Sequence, residues 1–112
     1  MEQRIRPLEK LKNIAESLGI PYSTDKYIGP ADTFAVYKME DITGANFANN
    51  RAQAHIARVR FDYVQPINRS YQDKMFEIID LFINAGFTEP SVVVVNDNDE
   101  ETILQFTAEI KM

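Results

Sequence analysis

The clearest pattern in the chain is a strict alternation near its end. Leu104, Phe106, Ala108, Ile110 and Met112 are apolar, and Gln105, Thr107, Glu109 and Lys111 fall between them. A period of two puts the apolar set on one face of a strand, whereas a helix would scatter it around the axis. The spacing predicts a strand over 102–112 whose even-numbered face meets an apolar layer. A second alternation runs over 54–64, with Ala57, Val59, Phe61 and Tyr63 opposed to Arg58, Arg60 and Asp62. It predicts a long strand ended by Gln65-Pro66, because proline cannot donate to a ladder.

Two segments follow the helical period instead. Leu8, Leu11, Ile14, Ala15 and Leu18 recur at helical spacing, which predicts a helix over 7–18. Pro7 suits its first turn, Gly19 a left-handed C-terminal cap, and Pro21 prevents resumption. Lys10 and Lys12 lie too early to serve the C-terminal dipole of this helix. A second helix is predicted over 68–86, with Ser70 as cap and Asp73 in the first turn. Its stripe is Met75, Ile78, Ile79 and Phe82, widened by Phe76, Leu81 and Ile83. Gly86 is the expected cap, and Phe87 the apolar residue that follows it.

The remaining strands are shorter. Thr33–Met39 is rich in β-branched and aromatic residues, and its two faces are both apolar: Phe34 and Val36 on one, Ala35, Tyr37 and Met39 on the other. Burial on two sides, or one face against a neighbouring subunit, would explain that. Ser91–Val95 has the composition of a short buried strand, and 96–101 turns it back into the last one. Ile20-Pro21-Tyr22 can form a brief extended piece, and the polar stretch 23–32 with Gly29-Pro30 a loop. Residues 40–53, with Gly44 and three asparagines, are expected to form a long flexible loop, a length at which loops are often functional. Phe47 in its middle has no evident core position.

These elements predict one α+β domain over 1–112. The order is α-β-β-α-β-β, with one extra short strand near 20–23. The sheet is mainly antiparallel, with two helices packed on one face. The 112 residues suffice for one core.

Composition narrows the function classes more than it selects one. The absence of cysteine removes disulfides and thiolate metal sites. No apolar run approaches a membrane span, and the opening Met-Glu-Gln-Arg-Ile-Arg-Pro is too polar for a secretory leader. A net charge of −5 argues against non-specific nucleic-acid binding.

Candidate chemistry is sparse. His55 is the only histidine, so it lacks partners for a metal site or a triad. The run 96–101 holds Asp97, Asp99, Glu100 and Glu101 and superficially resembles a calcium loop. It lacks the turn glycine, the late bidentate glutamate and flanking helices, so a solvated hairpin turn fits better. No nucleophile motif or phosphate-binding glycine loop is present, and no enzyme, cofactor or metal is expected. Arg51, Arg58, Arg60 and Arg69 gather positive charge on and near one strand. Arg58 and Arg60 belong either to a solvated face or to an interface with an acidic neighbour, such as the 97–101 turn of another copy. The candidate interface residues are thus Tyr37, Phe47, Arg51, Arg58, Arg60, Asp97, Asp99, Glu100 and Glu101.

The order of these elements resembles that of the small tail-terminator, or tail-completion, proteins of long-tailed bacteriophages, particularly those in prophages of Gram-positive bacteria. The resembling residues begin with the opening helix running into Leu18-Gly19-Ile20-Pro21-Tyr22. They continue through Thr33-Phe34-Ala35-Val36-Tyr37, the long loop and Val59-Arg60-Phe61-Asp62-Tyr63-Val64. The helix ending Ala85-Gly86-Phe87 and the closing Leu104-Gln105-Phe106-Thr107-Ala108 complete them. Some relatives carry a second acidic segment after the strand that holds Tyr37; Glu40 and Asp41 are the nearest match. The resemblance implies a homo-oligomeric ring, a hexamer, that caps the tail tube, stops its elongation and presents the joining surface to the head connector. It implies a virion location at the tail–head junction, assembly in the host cytoplasm, and no catalysis or cofactor. Its implied partners are tail-tube and head-connector proteins. The residue-level alternative is a small ligand- or peptide-binding α+β domain without catalysis.

Overall fold

The computed structural model describes residues 6–24, 26–27, 29–48, 51–96 and 100–111, with the backbone alone for 45–48 and 51–54. Its elements are α1 (Pro7–Leu18), β1 (Tyr22–Thr24), β2 (Phe34–Ala48), β3 (Arg51–Pro66), α2 (Gln72–Asn84), β4 (Ser91–Val95) and β5 (Glu101–Lys111). The strands form one sheet in the order β1-β2-β3-β5-β4. Only β1 and β2 run parallel; the other neighbours are antiparallel. The α+β class is the one that the two periodicities predict.

The core follows from which positions share a face. Leu11, Ile14 and Ala15 of α1 and Ile78 and Phe82 of α2 pack in one cluster with Ala35, Tyr37, Val59, Phe61, Leu104, Phe106, Ala108 and Ile110. Both helices therefore cover the same side of the sheet, and the even-numbered face of β5 is buried as its alternation requires. Phe61 lies at the aromatic centre. Its ring meets Phe82 edge-on at 5.8 Å and Phe106 at 6.4 Å between centroids, and Tyr37 stacks on it at 6.3 Å. Such pairs add to the area term of burial.

Helix ends set the two helices in place. Gly19 adopts φ 69° at the end of α1 and donates its N–H to the Glu16 carbonyl. At the end of α2 the Phe87 N–H reaches the Phe82 carbonyl, and the Gly86 N–H reaches that of Ile83. Gly86 sits at φ 98°, and the Phe82 and Phe87 rings lie 5.2 Å apart. This is a Schellman closure with its apolar contact. Lys10 Nζ donates to the Ala85 carbonyl at 2.6 Å, so a cation from α1 serves the C-terminal carbonyls of α2. The start of α2 departs from expectation. It begins at Gln72, with Tyr71 preceding it and no side-chain cap, so Ser70 has no capping role.

Three corrections concern the strands. The expected loop over 40–53 is mostly strand: β2 continues to Ala48, and β3 begins at Arg51. A register shift between Met39 and Asp41 leaves Glu40 as an extra residue. Residues 35, 37 and 39 face the helices before it, and Ile42 pairs with Ala57 on that side after it. This bulge breaks the parity on which sequence alternation depends. The second correction is β4, which is not buried. It is an edge strand, and Val93 is 56% exposed. The third concerns the width of the α2 stripe, since Phe76 and Ile83 on its flanks are exposed.

β2 and β3 also outrun the rest of the sheet. β5 pairs with β3 only from Ile56 to Pro66. Beyond that point the ladder continues between β2 and β3 alone, through Gly44–His55, Ala45–Ala54 and Phe47–Ala52 to Ala48–Arg51. The result is a two-stranded arm on a body 54 Å long and 26 by 24 Å across. The radius of gyration is 15.4 Å, against about 13 Å for a compact chain of this length.

Candidate interaction face

The side of the sheet away from the helices has no layer over it among the described residues. Register places its side chains in rows across the strands. At one end Phe34, Val64, Ile103 and Val95 are successive neighbours. The next row is Val36, Asp62, Gln105 and Val93, followed by Lys38, Arg60, Thr107 and Ser91. Asp41, Arg58 and Glu109 form the row nearest the arm. The face therefore grades from apolar to charged along the strands.

The apolar end is partly closed by the β1–β2 connection. A parallel pair needs a crossover, usually of a dozen or more residues. Here β1 has three residues, so the return path is short enough for the stretch between Thr24 and Phe34 to span. Tyr27 in this connection stacks on Phe34 at 4.4 Å, and its Oη accepts the Ala31 N–H. Its ring lies against Gly29, where an added Cβ would meet it. Val64 below is buried, while Phe34, Val36, Val95 and Ile103 remain half-buried and Val93 exposed.

The charged end is built by the bulge. One extra residue on β2 sets both Glu40 and Asp41 against Arg58. Arg58 donates to Asp41, and its Nε lies 3.9 Å from Glu40. Arg60 forms a two-pronged pair with Asp62 at 2.9 and 3.0 Å. These pairs raise both guanidinium pKa values, the Asp41 hydrogen bond dominating for Arg58 and the Asp62 bond for Arg60. Both side chains stay cationic throughout the accessible pH range. They are also locally neutralised, which sequence spacing alone did not suggest for Glu40 and Asp41.

The other candidate positions divide. Tyr37 belongs to the covered face: it is 5% exposed, and burial raises its phenol pKa. It is therefore a core residue and not an interface residue, because its parity matches Ala35. Phe47 and Arg51 occupy arm positions described by backbone only, and Asp97 and Asp99 lie outside the described residues. Glu100 is exposed, and its carbonyl accepts the Ile67 N–H; Glu101 is half-buried, opposite Pro66. Of the nine, only Arg58 and Arg60 come together on the open face. The apolar residues beside them, Ile103 and Val64 above all, were missed. Their signal was present: Ile103 is an odd-numbered apolar residue in a strand whose other odd positions are polar.

Small-molecule chemistry finds little purchase here. A shallow hollow of about 160 Å³ lies among Val36, Lys38, Arg60 and Asp62, below the usual size of ligand pockets. A polar hollow of about 350 Å³ is lined by Ile67, Arg69, Ser70, Tyr71, Gln72, Asn96 and Thr102 at the β3–α2 turn. Among the described residues no group of three or more His, Asp or Glu side chains is placed to hold a metal ion. No helix there is long and apolar enough to cross a membrane. No protein-family profile matches the chain, and no curated protein matches its sequence.

Proposed function

We propose that the chain is a structural subunit of a bacteriophage or prophage tail, acting as a tail terminator. Copies of it close into a ring on the end of the tail tube, stop its elongation and offer a surface to the head connector. The observation that carries this reading is the β2–β3 arm. An isolated two-stranded ribbon is marginal in water and gains stability when another surface packs on it. The arm continues the open face, so one neighbour could cover both its strands and the charged rows around Arg58 and Arg60. A ring contact is heterologous, with different patches of each subunit meeting. An arm at one end of an elongated body suits that arrangement. The element order from α1 to β5 adds support, because it is the order on which the resemblance rests.

The test is solution mass at rising concentration, with and without purified tail tube, together with electron microscopy of tube ends. Ring-sized particles capping the tubes are expected. A chain that stays monomeric and neither binds nor caps tubes sinks the reading.

A further inference from the structure

We infer that two copies of this chain pair through the free edges of β4, joining their sheets into one. The inference stands apart from the tail-terminator reading and rests on the chemistry of the two sheet edges. An edge strand presents a row of unpaired N–H and C=O groups that only another extended backbone satisfies along its length. Natural edges are blunted by shortness, proline, charge or a bulge. The β1 edge is blunted: it has three residues, follows Pro21, and closes on itself. The Ser23 hydroxyl donates to the Thr24 and Lys26 carbonyls, and the Lys26 N–H donates to the Thr24 carbonyl.

β4 has none of these devices. Ser91–Val95 contains no charge and no proline, and it pairs with β5 without a register shift. Among the described residues its ladder bonds go to β5 alone. Val93 and Val94, 56% and 38% exposed, are among the exposed large apolar residues.

A molecule with one open edge cannot chain head to tail through it. It can only pair with the same edge of a second copy, about a two-fold axis. Antiparallel pairing about an axis normal to the sheet keeps each face on its own side. Full overlap of the five residues then centres on Val93. Val93 meets its own counterpart on the open face, and Val92 meets Val94 on the helix side. Both exposed valines are covered. The contact is small, so it is expected to be weak, and the net charge of −5 on each copy opposes it until salt screens the repulsion.

The cysteine-free sequence gives a sharp test, because an introduced thiol has no competitor. Directly opposed residues of an antiparallel pair have Cα atoms about 4.5 to 5.5 Å apart, within disulfide reach. Under mild oxidation Val93→Cys is expected to form a disulfide dimer about tenfold or more faster than Lys12→Cys, an exposed control on α1. In sedimentation equilibrium up to about 1 mM protein and at raised salt, the wild type moves toward twice the monomer mass. Val93→Lys, at a position already exposed, keeps its circular dichroism and stays monomeric. Equal crosslinking rates for the two cysteine variants, or equal mass curves for wild type and Val93→Lys, would overturn the inference. Tube capping by Val93→Lys reports separately on the tail reading, in which this edge has no assigned part.

Discussion

The two faces of the sheet are built from the same strands but answer to different demands. On the covered face, Ala35, Val59, Phe61, Leu104 and Phe106 are nearly or fully inaccessible and lock against Leu11, Ile78 and Phe82. On the open face, Val36, Ile103, Arg58, Arg60 and Asp62 stay partly or largely accessible, and their contacts are in-plane charge pairs and half-buried aliphatics. The covered face fixes the fold, because each position is constrained by several neighbours at native density. The open face is free to vary without unfolding the chain, which is what a recognition surface needs. Period-two alternation thus separates stability from recognition within single strands.

The largest break in this contrast is expected from Phe106→Asp. It leaves a carboxylate in the aromatic cluster, costs more than about 4 kcal/mol and unfolds the chain, as urea titration followed by circular dichroism will register. Gly86→Ala comes next. An added Cβ would meet only Ile110 Cδ1, at an ordinary 3.8 Å, so the loss comes from the left-handed backbone at φ 98°. About 1 kcal/mol is expected in the same assay.

A third test uses alkali. Burial raises the phenol pKa values of Tyr37 and Tyr63 above the ordinary 10.0. A raised folded value means that their contribution is complete below pH 10.0 and is lost as pH climbs through the folded values. Melting temperature should therefore fall above about pH 10. The double variant Tyr37→Phe with Tyr63→Phe should flatten that decline while leaving neutral-pH melting nearly unchanged. An unaltered decline would move its origin elsewhere.

The smallest effect on folding is expected from Arg58→Glu with Arg60→Glu. The charges reverse beside Glu40, Asp41 and Asp62, so melting should fall slightly, most at low salt, since exposed ion pairs contribute little. Assembly should be the sensitive readout: light scattering with tail tubes is expected to show lost capping. Unchanged assembly would remove these arginines from the proposed contact.

Legibility in the sequence followed the same division. α1, β5 and the body of β3 show their periodicity openly, because each has one covered face and no interruption. β2 hid its second half because the Glu40 bulge shifts parity within one strand, and Gly44 with nearby asparagines weakens β-propensity. β4 was misplaced for another reason: four valines look alike at the centre or the edge of a sheet, and position in strand order is a non-local property. Tyr37 was offered as an interface residue because both faces of its strand are apolar, and parity could be settled only by the partner strand. The acidic pairing of Arg58 depends on the same bulge, so neither spacing nor composition could announce it.

That single extra residue also sets a phase. Before Glu40 the odd positions of β2 look toward the helices, and after it the even ones do. Removing residue 40 from the chain would advance everything beyond it by half a pleat, turning over the β2 half of the arm while its β3 half kept its orientation. The arm's surface is therefore tuned by counting as well as by composition: an insertion or deletion of one at this point exchanges its two sides, whereas a change of two restores them.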